Sequence, residues 1–185
     1  GVRLDFEAES LEAVARLETQ MPYIHLPIQA GSNAVLRRMN RPYTRERYIE
    51  LIKKIRETIP GCAISTDIIV GFCGETKEMF EETCKLFEEI RWDMAYLAQY
   101  SMRRNTAAHK IMKDDVPEKE KARRWHKLND LLTKISREKH RAFKGKTVQV
   151  LVERCTEGMC EGRSEHFKNT QFAGGPKLIG QIVPV

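Results

Sequence analysis

Ala63-Ile64-Ser65-Thr66-Asp67-Ile68-Ile69-Val70-Gly71-Phe72-Cys73-Gly74-Glu75-Thr76 is the stretch that decides the fold. Ala63 to Val70 is a β-branched run that reads as a strand. Gly71 and Gly74 punctuate its carboxyl end, and Phe80, Cys84 and Phe87 then recur at helical spacing. A strand passing through a glycine turn into a helix is a βα unit. Working outward, Tyr23 to Gln29 reads as a preceding strand ending at Gly31-Ser32, with Pro27 arguing against regular pairing. Thr44 is placed to cap a helix carrying Tyr48, Leu51, Ile52, Ile55 and Ile59, which Pro60-Gly61 stops, and Leu11 to Leu17 reads as a shorter helix. Met94 to Tyr100 is a third strand that runs into a polar loop. Strands alternating with helices of ~15 residues predict an α/β fold with a parallel sheet, whose chemistry falls at the carboxyl ends of the strands.

The pattern changes further on. Asp115 is the expected N-cap of a long helix over 117–142, with Pro117 in its first turn, Glu118 as capping-box partner, and Trp125, Leu128, Leu132 and Ile135 as its apolar stripe. Beyond Gly145, Val148, Val150 and Val152 alternate with Thr147, Gln149, Leu151 and Glu153, and short strands are expected around Gln171-Phe172 and from Leu178 to Val183. This predicts a small all-β module over 144–185, after a βα part over 1–143. Roughly 40 residues are too few for a well-buried barrel, so the module is expected to be incomplete. Val2 to Phe6 begins in mid-pattern without an initiating Met, which points to a chain cut from something longer.

Among 185 residues, 41% are hydrophobic and 31% charged, and no run approaches the ~18 apolar residues of a membrane span, so a soluble cytoplasmic protein without a membrane partner is expected. Five cysteines at scattered spacings argue against a disulfide framework and for a reducing compartment; all five are expected to be packing or incidental residues. The net charge is +6, yet Lys119 to Lys146 alone holds eleven basic and three acidic residues, leaving the rest near −2. A basic helix of this kind permits an anionic partner such as RNA, and it equally describes a solvated helical face.

Three segments carry candidate chemistry. The glycine turn after Val70 would let backbone approach a nucleotide, or would merely satisfy the angles of a βα turn. His25 and Gln29, near a strand end, suit a pocket or an ordinary buried hydrogen-bond network. Arg103, in Tyr100-Ser101-Met102-Arg103-Arg104-Asn105-Thr106, suits a carboxylate or phosphate, although arginines are mostly solvated.

Taken in order, these segments resemble the radical-SAM methylthiotransferases, and within them the MiaB-type tRNA enzymes. The resemblance rests on His25 to Ser32 (HLPIQAGS), Leu36 to Thr44 (LRRMNRPYT), Asp67 to Thr76 (DIIVGFCGET) and the Tyr-Ser-x-Arg-x-x-Thr-Ala pattern of Tyr100 to Ala107. It implies a partial TIM-like radical-SAM barrel followed by a partial TRAM domain, an RNA-binding barrel. It also implies S-adenosylmethionine as cofactor and [4Fe-4S] clusters in the full-length parent. Gln29 would line the cofactor pocket, Ile69, Val70 and Gly71 would meet the adenine, and Arg103 would lie near ligand or substrate. The implied reaction replaces the C2 hydrogen of N6-prenylated adenosine 37, in the tRNA anticodon stem-loop, by a methylthio group, through a 5′-deoxyadenosyl radical. Arg137, Arg141, Lys144 and Lys146 are the residues expected to hold the RNA. The pattern around positions 25 to 31 favours the tRNA branch over the sister enzyme that modifies a ribosomal protein.

The chain departs from the family pattern at Cys73, where Pro is usual, and at Asn105, where Gly is usual. The CxxxCxxC cluster motif is absent, so this polypeptide alone is expected to be inactive and to hold no metal. Two alternatives stay open: a non-catalytic RNA-binding module, in which the βα part is scaffold, and a methylthiotransferase for another modified adenosine or a ribosomal protein.

Overall fold

The computed structural model describes residues 8–17 and 21–185; Val2 to Phe6 lies outside them. Helix α1 (Ala8–Arg16) precedes β1 (Tyr23–His25), α2 (Asn33–Arg38), α3 (Arg45–Thr58), β2 (Ala63–Val70), α4 (Lys77–Ile90), β3 (Met94–Gln99), α5 (Ala107–Ile111) and α6 (Glu118–Arg141). The strands form a parallel sheet in the order β1-β2-β3. Thr44 and Thr76 cap α3 and α4 by accepting from the backbone N–H groups of Arg47 and Met79. Tyr48, Leu51, Ile52 and Ile55 of α3 and Phe80, Cys84 and Phe87 of α4 are buried, as their spacing predicts. Trp92 is fully buried, its ring edge-on to Phe87 at 5.1 Å and its Nε1 donating to the Tyr48 hydroxyl at 3.0 Å.

Pro27 does end regular pairing: β1 stops at His25, and the chain rejoins the sheet through one parallel bridge, Gln29 with Ile68. The carbonyls freed between them are satisfied by tyrosines, Leu26 by Tyr48 (2.8 Å), Pro27 and Ile28 by Tyr43 (3.2 and 3.3 Å).

Helix α6 starts later than the sequence implies. Pro117, not Asp115, is its N-cap residue, because Asp115 instead accepts from the Gly74 N–H at 2.6 Å and Glu118 turns to Lys121. The helix runs antiparallel to the strands for about 36 Å. Near its start Trp125 donates to the carbonyl of Leu97, and near its end Lys139 pairs with Asp93, at the amino end of β3.

Strands β4 (Gln149–Thr156), β5 (Met159–Ser164), β6 (Asn169–Ala173) and β7 (Ile182–Pro184) make an antiparallel sheet in the order β6-β5-β4-β7, with a one-turn 3-10 helix at Pro176–Leu178. Cys155 and Cys160 lie opposite one another across the β4–β5 hairpin and are disulfide-bonded, which corrects the expectation that no cysteine is paired. Their five-residue separation becomes meaningful only once the hairpin register is known. This module docks at the amino ends of β1 to β3: Phe167 stacks on Tyr23 at 4.3 Å, and Lys168 Nζ lies 3.5 Å from Asp93 Oδ1. Burial works against the Asp93 carboxylate, but Lys139, the Ile64 N–H and Lys168 outweigh it and leave the pKa below its ordinary value.

Candidate functional site

At the opposite, carboxyl end of the sheet lies a cleft of about 810 Å³. Its walls come from the end of the β1 extension, the turn after α2, the end of β2, and the segment joining β3 to α5. Gln29 is held there with φ +76, its N–H donating to Asp67 O and its carbonyl accepting from Ile69 N, both at 2.9 Å. A non-glycine residue in the left-handed region, fixed by its neighbours, is a feature that concentrates at binding sites. Its side-chain amide lines the cleft and makes no hydrogen bond among the described residues.

Of the five residues expected to meet the cofactor, Gln29, Ile69 and Arg103 line this cleft, while Val70 and Gly71 do not. Val70 is fully buried in the core. Gly71 has φ +74, and a Cβ there would stand 2.3 Å from Lys121 Cγ, so its open side faces α6. Phe72 and Tyr100, packed edge-to-face at 4.8 Å, supply aromatic surface instead. Burial, followed by a hydrogen bond and the charge of Cys73, pushes the Tyr100 hydroxyl up to about 12. Arg103 is positioned through its carbonyl, which accepts from the Thr106 hydroxyl at 2.8 Å, while Thr106 caps α5. Asn105 takes the left-handed conformation there, φ +66, which Asn tolerates. His25 stands lower on the sheet, its Nδ1 2.7 Å from Ser65 Oγ and its Nε2 3.5 Å from Asp67 Oδ1, and is not part of the cleft lining.

The glycine turn is stapled to α6. Gly71 N–H donates to Glu75 Oε2 at 2.6 Å, and the same carboxylate takes Arg124 Nη1 at 2.6 Å, with both side chains almost wholly buried. Arg124 also donates to Glu75 O and to Glu120. Burial raises the Glu75 pKa, with the Gly71 N–H and Arg124 opposing. Lys121, fully buried, pairs with Asp114 and Glu118 at 2.8 Å each. Arg123 pairs with Glu120, and Lys127 with Glu81. Four of the five Lys and Arg residues in the first half of the basic helix are thus neutralised within the protein, Lys119 being the exception among the described residues. Farther along, Lys134, Arg137 and Arg141 line a shallow groove of about 400 Å³ with Asp130, Thr133 and Glu138, and Lys144 and Lys146 follow in the exposed turn. These cations have no ion-pair partner among the described residues.

Parallel βα units with a cleft at their carboxyl ends define an α/β class, and the model of the radical SAM superfamily matches residues 1–87 of the chain. The solved structure of Escherichia coli coproporphyrinogen III oxidase (HemN), a radical SAM enzyme, superposes with a TM-score of 0.57 at 25% identity, covering 72% of this chain and 30% of that one. More particularly, the chain is 44% identical over 184 residues to the tRNA-2-methylthio-N(6)-dimethylallyladenosine synthase of Bacillus velezensis, covering 98% of this chain and 36% of that protein. It is 42% identical to the synthase of the same name from Clostridium botulinum strain Hall, covering 98% of this chain and 41% of that protein. The chain therefore spans about two fifths of the length of the curated relatives it matches.

Proposed function

We propose that the chain is part of a tRNA methylthiotransferase that replaces the C2 hydrogen of an N6-dimethylallyl adenosine, at position 37 of the anticodon stem-loop, by a methylthio group in the cytoplasm. The observation that carries this reading is similarity to such synthases along 98% of the chain, joined to all four motif segments meeting at one strand-end cleft. No helix among the described residues is long and apolar enough to cross a membrane.

The cleft suits an adenosine-bearing cofactor. Gln29 offers a free amide between Ile69, Phe72 and Tyr100, and Arg103 stands beside them for the methionyl end or the substrate. Bound there, S-adenosylmethionine supplies the radical chemistry that an unactivated aromatic C2 requires. Val70 and Gly71 take a supporting role, holding the turn that presents Ile69. A [4Fe-4S] cluster does not fit this chain's own side chains: Cys62, Cys73 and Cys84 are separately buried, and no trio of His, Cys, Asp or Glu converges among the described residues.

The domain division follows the same reading, with residues 1–143 as radical-SAM domain and 144–185 as a TRAM-like RNA-binding module. Arg137, Arg141, Lys144 and Lys146, exposed where α6 meets that module, would hold the stem of the RNA.

The test is nucleoside mass spectrometry of tRNA from cells lacking the gene that encodes this chain. The 2-methylthio derivative should vanish, its N6-dimethylallyl precursor should accumulate, and both should revert on restoring the gene. An unchanged nucleoside profile would overturn the reading.

A further inference from the structure

The cleft is lined by four arginines, Arg37, Arg38, Arg41 and Arg103, and by no Asp or Glu. Arg38 is occupied, donating to the carbonyls of Cys73 and Gly74. Arg37, Arg41 and Arg103 have no carboxylate at ion-pair distance among the described residues, and Arg41 Nε is buried without a hydrogen-bond partner. Arg45, Arg91, Arg123 and Arg124 are each paired with a carboxylate, whereas the cleft gathers three guanidinium groups that no carboxylate matches among the described residues. The fold places them deliberately. Arg37 lies in the last turn of the short helix α2, Asn40 turns the chain with φ +54 to bring Arg41 to the same wall, and Arg103 arrives from the segment after β3.

Three unmatched guanidinium groups around one cleft call for a ligand with several anionic oxygens. An amino-acid head group brings one carboxylate and a positive charge of its own, whereas a nucleic-acid strand brings a phosphate at every step. We propose that Arg37, Arg41 and Arg103 form a phosphate clamp on the cleft rim, gripping the RNA backbone on either side of the base that enters the cleft. The clamp rests on the RNA reading above. A base leaves its stack only if its flanking backbone is held in a splayed path, and the clamp supplies that hold at the site of chemistry. It is separate from the groove of Arg137 and Arg141, which lies toward the other end of α6.

The experiment uses the 185-residue chain and an RNA hairpin with a loop adenosine, titrated from ~50 to ~300 mM salt. Changing Arg37, Arg41 and Arg103 together to Gln should weaken binding roughly five- to thirtyfold at ~100 mM salt and reduce the log–log slope by about 2. The corresponding Lys triple should restore the slope. A hairpin whose two linkages flanking the adenosine are neutral methylphosphonates should lose as much with the unaltered chain and nothing further with the Gln triple. If the triple does not fold, Arg103→Gln alone, at an exposed position, should lose about 0.7 of a slope unit. Binding by the Gln variants within twofold of the parent with an unchanged slope would sink the clamp while leaving the RNA reading intact. So would a loss that ignores the neutral linkages. No hairpin binding by the unaltered chain at ~50 mM salt would sink both.

Discussion

The two halves of α6 carry similar amounts of positive charge and use it in opposite ways. In the first half, Lys121, Arg123, Arg124 and Lys127 each meet a carboxylate, and two of the four are buried. In the second half, among the described residues, Lys139 is the one Lys or Arg that meets a carboxylate, Asp93, while Lys134, Arg137 and Arg141 face solvent along one groove. The first half is an internal fastener that fixes the glycine turn beneath the cleft. The second is free to meet another molecule. A sum of charges along the helix conceals this division, because charge becomes available to a partner only where the fold leaves it unpaired.

Breaking the fastener should have the largest effect. Arg124→Ala leaves the Glu75 carboxylate buried without its partner and should cost about 3–5 kcal/mol in denaturant unfolding at neutral pH. The pH dependence has a definite sign. The folded-state pKa of Glu75 is raised, so the folded protein binds this proton more readily than the unfolded chain, and stability falls as pH climbs from the ordinary carboxylate range through the raised value. Without Arg124 the pKa rises further, so the deficit of the variant should shrink on acidification from pH ~8 toward pH ~5. A deficit independent of pH would mean that Glu75 is not the group left stranded.

Gly71→Val comes next. A branched residue at φ +74 is strained, and its Cβ would meet the buried stem of Lys121, so about 2–4 kcal/mol of stability should be lost. Any effect on cofactor binding would then follow the displaced turn. A variant as stable as the parent would show that Lys121 yields easily and that the fastener is looser than its contacts imply.

The Cys155–Cys160 bond closes only a short loop, so Cys160→Ser should cost about 2 kcal/mol or less, and the loss should be confined to the β module. Hydrogen exchange that loosened β4 and β5 while leaving α4 and α6 protected would bear this out. Equal loosening of both would mean that the seam at Phe167 and Lys168 couples the two sheets more tightly.

These distinctions were unevenly legible in the sequence. Helices α3 and α4 and strands β2 and β3 announce themselves through apolar spacing, because each buries one regular face. Helix α2 is six residues long, too short for a period to register, yet it brings Arg37 and Arg38 to the cleft. Strand β5 buries Cys160, Gly162 and Ser164, small side chains that produce no hydrophobic alternation; a Cβ on Gly162 would meet the Leu151 carbonyl at 1.9 Å. Gln29, Ile69 and Arg103 could be read from motifs, but Gly71 has its open side toward Lys121, fifty positions along the chain. Nor could the partner of Arg124 be read locally, since Glu75 lies 49 residues away.

The division of α6 meets its most direct test in the salt dependence of RNA hairpin binding. Changing Arg137, Arg141, Lys144 and Lys146 together to Ala should lower the log–log slope by about 3, since four exposed cations each release close to one counterion. Changing Arg123 and Lys127, of the first half, should leave it within ~0.5, because Glu120 and Glu81 already neutralise them. Equal losses from both sets would contradict the account, showing the helix to be a uniformly basic rod rather than a fastener joined to a grip.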